Sequence, residues 1–344
     1  MADAPISFIA HGASIQTFKV KGVNIVQGFD TPEQYKSHNS PFFGETVGRV
    51  ANRLAGAELR SLNGRTYALD ANNGPNSLHG GPVGWGKRDW EGPRPVGLRA
   101  IPGVEGLSGG ESVEFALRSE DGDQGFPGAV EARIVYTTGT QTDGDGREVL
   151  VLGMDYEAEL VGDDGVEETA VNMTNHSYFN LSGDMGGTVA GTTVTLPTDK
   201  HLPVDDVAIP TGGPAPFRFD TSKPFVLGAA EPDVDHCFTL ADDPSSVPVD
   251  TRRQPLRLNL SARHEGTGIH LEVLSTEPAF QFYTGGFIDV PAVGGLPARV
   301  KRGGFCCEPG RWVNAPNVEA WRGMTTLKKG DKYGARIVYR AWAN

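Results

Sequence analysis

The chain's densest run of polar side chains is Val171-Asn-Met-Thr-Asn-His176-Ser-Tyr-Phe-Asn-Leu-Ser-Gly183. Val171, Met173 and Asn175 alternate with Asn172, Thr174 and His176, which predicts a strand with one polar face. Buried polar groups cost free energy unless each finds a partner, so stability alone is a poor reason for such a face. A lone histidine is more often a satisfied core residue beside a turn. Here the run is dense and ends in the aromatic pair Tyr178-Phe179, which could make one wall of a sugar-sized pocket. Histidine also titrates nearest neutrality, which suits proton transfer. A carboxylate stands at Glu308, where Gly303-Gly-Phe-Cys-Cys-Glu308-Pro309 ends a strand. Pro309 holds Glu308 extended and so fixes where its carboxylate points; the plainer reading is an exposed strand-end glutamate. A second histidine, His79, sits between Leu78 and Gly80-Gly81, and glycines there let backbone or ligand approach the ring closely. A metal site would need further His or carboxylate ligands at tetrahedral spacing near it, and the sequence places none there. No metal is expected.

The elements that must hold these residues read as strands. Ile6-Ser-Phe-Ile-Ala, Ile15-Gln-Thr-Phe-Lys-Val and Val23-Asn-Ile-Val, broken by Gly12, Gly22 and Gly28, form a meander, and Thr31 to Ser40 holds a short helical turn. Glycines bracket Arg49 and Arg53, as backbone packed closely around two guanidinium groups would require; a pair of surface salt-bridging arginines is the alternative. Asn63-Gly64 is a hairpin turn, since both residues tolerate positive φ. Trp85 and Trp90 read as core. Glycine-rich acidic loops at 103–110 and 139–147 separate the strands around Ser112–Leu117, Ala132–Tyr136 and Val149–Leu152. Asp233 and Asp235 precede an apolar run and point the same way along a strand. Gln281, between Phe280 and Phe282, faces opposite to its neighbours and can enter a pocket while they fill a core. Met324 to Asp331 and Tyr333 to Tyr339 read as a closing strand pair.

Gly 46 and Pro 24, together about a fifth of 344 residues, mean many turns and few long helices. The net charge of -12 argues against nucleic acid or an anionic membrane as partner, since both need a basic face. Cys237, Cys306 and Cys307 form neither a disulfide framework nor a Cys-x-x-Cys site. The start, Met-Ala-Asp-Ala-Pro, carries no secretory pattern, and no stretch has the length of a membrane span. Sequons at Asn172, Asn175 and Asn180 fall inside the polar run, where a glycan would block it, and a further one lies at Asn259. The expectation is a cytoplasmic all-β protein, one domain over residues 1–344, handling a small neutral ligand.

Several segments resemble the aldose 1-epimerase (galactose mutarotase) family: Gly48-Arg-x-Ala-Asn-Arg53, Leu78-His-Gly-Gly81, Gly125-Phe-Pro-Gly128, Asn175-His-x-Tyr-Phe-Asn-Leu181, Asp235-His-x-Phe238 and Glu308, in the family's order over nearly the whole chain. The resemblance implies a β-supersandwich of large packed antiparallel sheets and cofactor-free interconversion of the α and β anomers of an aldose. It implies Glu308 as base, His176 as acid and His79 as their assistant. Asn52, Arg53, Asp235 and Gln281 would bind sugar hydroxyls. Independently of the resemblance, Tyr178 is expected in the pocket wall and a monomer or weak dimer as the working form. One departure stands out. Relatives continue past the glutamate with Thr-Gln and a Pro-Asp loop, whereas this chain reads Pro309-Gly-Arg311-Trp312. With Lys301 and Arg302, Arg311 opens the alternative of a phosphorylated hexose. A non-catalytic sugar binder is a further alternative, against which the retained His176 and Glu308 speak.

Overall fold

Ile269–Ser275 illustrates how the sequence writes its sheets: Ile269, Leu271, Val273 and Ser275 are buried, while His270, Glu272 and Leu274 are only partly covered. This period of two gives each strand a core face and an outer face. In the computed structural model, which describes residues 4–162 and 165–344, such strands assemble into a nine-stranded antiparallel sheet. Its order is Phe225–Leu227, Thr192–Thr195, Arg257–His264, Ile269–Ser275, Lys332–Ala343, Glu148–Val161, Ala129–Thr142, Ser108–Ser119 and Glu91–Leu98. A six-stranded antiparallel sheet runs Tyr178–Phe179, Phe305–Gly310, Ala279–Tyr283, Asp235–Thr239, Lys200–His201 and Ala215–Pro216. The main core lies between them: Tyr136, Met154, Val273 and Tyr339 from the large sheet meet Phe238, Phe280, Phe282 and Phe305 from the smaller one. The all-β expectation holds.

The face of the smaller sheet turned away from this core carries Tyr178, Cys306, Glu308, Gln281, Tyr283 and Asp235. Cross-strand register explains the grouping, since Tyr178 lies opposite Cys306, Gln281 opposite Glu308, and Asp235 opposite Tyr283. Phe280 and Phe282 go to the core and Gln281 to the other face, as the sequence pattern required.

The polar run departs from the expected single strand. It contains two short strands, Thr174–Asn175 and Tyr178–Phe179, which join different sheets. The bend lies at Ser177, whose N–H and hydroxyl both donate to Asn175 Oδ1 (3.0 and 2.6 Å). Both of its faces are buried, and backbone partners satisfy the polar groups: Arg311 N donates to Asn172 Oδ1 (3.0 Å), and Thr174 Oγ1 donates to the Pro309 carbonyl (2.7 Å). The expected closing pair is also corrected. Thr326–Lys328 pairs with Glu168–Ala170, whereas Lys332–Ala343 enters the large sheet between Glu148–Val161 and Ile269–Ser275. Gly139 likewise belongs to a strand, Ala129–Thr142, rather than to the adjoining loop.

Other local readings match. Pro32–His38 is a helix capped by Thr31 and Gln34 in a reciprocal box. Leu62 and Arg65 pair across the Asn63-Gly64 turn, and Trp85 and Trp90 are buried edge to face. Met1–Asp3, where the N-terminal segment was read for a targeting pattern, lie outside the described residues. Among the described residues, no helix is long and apolar enough to cross a membrane.

Candidate active site

The outer face of the smaller sheet becomes the floor of a pocket of about 380 Å³, a size suited to a small ligand. Tyr178, Asp235, Gln281 and Glu308 form that floor; Phe42, Asn52, Arg53, His79, His176 and Tyr283 are among its walls, with Phe287 exposed at the rim. Every residue expected at the site is therefore brought to one cavity.

His79 reaches it from a tightly packed loop. Arg53 pairs with Leu78, and His79 N donates to Asn52 O (3.1 Å) while Asn52 N donates to His79 Nδ1 (3.2 Å). The glycines of the two motifs make this approach possible. A Cβ on Gly48 would lie 2.2 Å from Trp85 Cε3, and one on Gly80, at φ +82°, would lie 2.1 Å from Gly48 O. Phe42, Asn52 and His79 themselves hold positive φ (69°, 61° and 52°). Three non-glycine residues in the left-handed region around one pocket mark backbone strain, at about 1–3 kcal/mol each, of the kind that surrounding structure must over-determine.

His176 follows the Ser177 bend at the same depth. Its N–H donates to Glu45 O (2.8 Å) and its carbonyl accepts from Gly44 N (3.1 Å). The imidazole lies between the rings of Tyr178 (centroids 5.0 Å apart, 28°) and Phe42 (5.8 Å, 30°). Its Nδ1 stands 3.7 Å from Cys306 Sγ, and its Nε2 stands 3.5 Å from Glu308 Oε2. Glu308 is buried at the pocket floor, not exposed at a strand end. Ligand atoms of His79, His176 and Glu308 all lie within 4.8 Å of one another.

Burial governs the protonation of this trio. It pushes His176 down to about 3, and it pushes His79 well below the ordinary histidine range, where the charges of Arg53 and Lys87, and of His176 were it protonated, act the same way. It raises Glu308 well above the ordinary carboxylate range; Asp235 adds to that rise and Arg53 opposes it. Asp235 is raised by the same desolvation, offset by Gln281 and Arg53. Burial thus disfavours the charged form of Glu308 and of His176 alike.

The trio's spacing is metal-like, which sequence distance alone did not indicate. Its hydrogen bonds fit a metal poorly. Asn52 N–H can only donate, so His79 Nδ1 accepts, and the neutral ring carries its proton on Nε2, toward the pocket. Metal-bound histidine needs the reverse, with the remote ring N–H donating outward. Sugar hydroxyls suit the site better. Gln281 Nε2 donates to Asp235 Oδ1 (2.6 Å), leaving Gln281 Oε1 buried without a partner, and Arg53 Nε donates to Asn73 Oδ1 (2.9 Å), leaving its remaining N–H groups for a ligand.

The phosphate alternative is not favoured, because the three cations that suggested it are engaged elsewhere or lie off the pocket. Arg311 is fully buried in an ion pair with Glu277 and donates to the Met324 carbonyl (2.9 Å) and the Val249 carbonyl (2.9 Å). Arg302 is buried and donates to the Gly228 carbonyl (3.1 Å) and the Pro232 carbonyl (2.9 Å). Lys301 is exposed, and none of the three lines the pocket. Trp312 packs on Trp321 in a secondary core. Arg49 is structural as well: its guanidinium donates to the Pro127 and Gly128 carbonyls (2.9 and 2.8 Å), which gives the Gly125–Gly128 turn a purpose beyond shaping a hairpin. Asp233 stays off the pocket lining and accepts from Thr284 Oγ1 (3.1 Å).

Residues 2–340 match the family described as Aldose 1-epimerase. The chain belongs to this family. It is 36% identical over 342 residues to galactose mutarotase of Sus scrofa, covering 95% of this chain and 88% of that protein, and 34% identical to the Homo sapiens galactose mutarotase over the same shares. It is also 37% identical over 340 residues to bifunctional protein GAL10 of Pachysolen tannophilus, covering 97% of this chain but only 45% of the relative. The chain thus spans a little under half the length of the bifunctional relatives it matches. The crystal structure of a GalM/aldose epimerase homologue from C. elegans superposes with a TM-score of 0.77 at 27% identity, over 98% of this chain and 95% of that one. That of galactose 1-epimerase from Lactobacillus acidophilus shares the fold, with a TM-score of 0.75 at 23% identity over 99% and 92% of the two chains. The supersandwich expected of an aldose 1-epimerase is therefore the fold found.

Sequence reasoning missed Phe42, Asn73, Tyr283 and Phe287 in the pocket lining. Tyr283 was accessible to it, two residues beyond Gln281 on the same strand face. Asn73 was not, because only the folded loop brings it to Arg53. A larger cleft of about 870 Å³ crosses the outer face of the nine-stranded sheet. Its floor is ion-paired, Arg252 with Asp250 and Glu157, and Arg336 with Asp155.

Proposed function

We propose that this chain interconverts the α and β anomers of free aldohexoses of the galactose or glucose type by acid–base ring opening and reclosure. The observation that carries the reading is the meeting of Glu308, His176 and His79 at the bottom of a hexose-sized cavity. Opening the ring requires a base for the C1 hydroxyl proton and an acid for the ring oxygen. Glu308 takes the first proton and His176 supplies the second. Rotation about C1–C2 of the open aldehyde then presents its other face, and the same two groups run in reverse to close it. In this reading the pair holds one proton between them, on Glu308 in the empty pocket, as the upward shift of Glu308 and the downward shift of His176 favour. The reactive carboxylate–imidazolium form differs only by moving that proton across the 3.5 Å contact, and sugar hydroxyls donating to the carboxylate favour the move. His79, with its Nε2–H facing inward, donates to the anomeric or ring oxygen as negative charge develops. Asn52, Arg53, Asp235 and Gln281 orient the hydroxyls, and Tyr178 supports an apolar sugar face.

Residues 1–344 act as one domain in this reading; support comes from a main core that draws on residues from Ile6 to Ala341 and from a family match spanning 2–340. The chain works in the cytoplasm as a monomer or weak dimer, without cofactor or nucleic acid. All four sequon asparagines are buried, as are the three free cysteines, and the net charge is -12. Polarimetry of freshly dissolved α-D-galactose and α-D-glucose tests the activity. The optical rotation should relax faster with protein present, with no added metal or nucleotide and with a chelator in the buffer. Relaxation at the spontaneous rate would refute the proposed activity, and loss on chelation would refute the cofactor-free mechanism.

A further inference from the structure

Behind the pocket wall lies a buried ion pair that the proposed chemistry does not use. Glu45 is buried completely, and its Oε1 accepts from Lys87 Nζ (2.8 Å) and from Asn39 Nδ2 (2.8 Å). Lys87 Nζ also donates to the Asn39 carbonyl and sits 4.1 Å from the centroid of the Phe42 ring. Neither Lys87 nor Glu45 lines the pocket. Together they tie three segments that sequence holds far apart: the 39–45 loop, the turn after His79 that ends in Lys87, and the His176 segment, whose N–H donates to Glu45 O. Phe42 is the element in the middle. Its backbone is strained at φ +69°, and its ring contacts His79 (4.8 Å) and His176 (5.8 Å) while facing the Lys87 ammonium. A strained residue keeps its conformation only where neighbours impose it, and the cation–π contact and the clamp on Asn39 impose it here.

We propose that Lys87 is a positioning residue for the reaction, acting through Phe42 and Glu45 to fix both site histidines. It holds the Phe42 ring against them, which keeps their faces dry, and it locks the loop to which His176 is hydrogen-bonded. Its charge has a second effect. Lys87 lies close enough to disfavour protonation of both His79 and His176. The other titratable or charged groups facing the two rings are Glu308, Arg53, Tyr178 and Cys306, together with each other. None of these is altered by changing Lys87. The inference rests on the proposed anomer interconversion for its kinetic readout but not for its structural one.

The test compares Lys87→Met with Lys87→Arg, and adds Glu45→Gln/Lys87→Met, which leaves no buried charge unpaired should the single variant fold poorly. Per folded molecule, the Met-containing variants should lose about tenfold or more in kcat with KM for galactose within about twofold, because the hydroxyl-binding residues sit on other segments. Lys87→Arg, which keeps the charge, should recover part of the loss. NMR titration of the two histidines should show both protonating at higher pH in the Met variants. Wild-type kcat per folded molecule, or unmoved histidine titrations in a well-folded variant, would overturn the inference. A lowered melting temperature alone would make Lys87 merely structural and overturn it equally. Because the titration needs no turnover, an inactive wild type would count against the proposed activity while the positioning role is still decided by the histidines.

Discussion

Replacing Glu308 with Gln tests the chemistry and the electrostatics together. The amide matches the carboxylate in volume, so the pocket floor and its strand pairing opposite Gln281 should persist. It can neither accept nor return a proton. Losing one positioned proton-transfer group costs about 10²–10⁴ in rate, equivalent to about 2.7–5.4 kcal/mol of transition-state stabilisation at 1.36 kcal/mol per decade. The upper part of that range is expected, because His176 and His79 are both neutral in the empty site and, among the described residues, Glu308 supplies the one carboxylate within 4.0 Å of His176. Stability should move the other way. Burial raises the folded-state pKa of Glu308 above its unfolded value. The stability linked to that carboxyl is therefore complete below the unfolded pKa of about 4.3 and declines as pH rises toward the folded value. At neutral pH the wild type bears that cost and Gln does not. Glu308→Gln should consequently melt near wild type at pH 4 and above it at pH 7. Polarimetry of α-galactose and thermal melts at both values decide the matter. Wild-type turnover in a well-folded variant would refute the role of Glu308, and a Tm difference that does not change with pH would refute the burial argument.

The pH profile of kcat/KM should be a broad plateau bounded by gain and loss of the single shared proton. Its acid limb falls where a second proton adds to a site that holds His176 down to about 3, and its alkaline limb falls where Glu308, held high by burial, loses the only proton; a maximum confined near pH 5 would contradict this. Arg53→Ala should lower kcat/KM by about 10–150-fold, from charged hydrogen bonds worth about 1.5–3 kcal/mol, with melting little changed. An unchanged kcat/KM would place Arg53 outside sugar binding. Arg311→Met should strand Glu277 in the interior and cost about 3–5 kcal/mol in urea unfolding, leaving kcat per folded molecule intact. A selective loss of activity there would restore the divergent 309–317 loop as part of the site.

The sequence alone pointed to most of the residues that the fold gathers at one pocket. Period-two patterning makes Gln281 face away from Phe280 and Phe282, the Gly-Arg-x-Ala-Asn-Arg and Leu-His-Gly-Gly motifs mark Arg53 and His79, and the polar run marks His176. The strand alternation is legible because it depends on local geometry, whereas Arg53 and His79 stand out through the resemblance of their motifs to the family. What lay beyond reach were facts created by long-range contact. Two arginines of similar context had opposite fates: Arg49 was swallowed by carbonyls some 80 positions away, Arg53 was left facing a cavity. Arg311 looked like a phosphate ligand until its partner Glu277, 34 residues off, came into view. The metal-like closeness of His79, His176 and Glu308 is likewise invisible in a chain that separates them widely, and so is the hydrogen bond from Asn52 that decides the His79 tautomer. The strand period says which way a side chain points. Only the packing of distant segments says what it meets there, and how dry that place is, and dryness is what sets the protonation on which the chemistry depends.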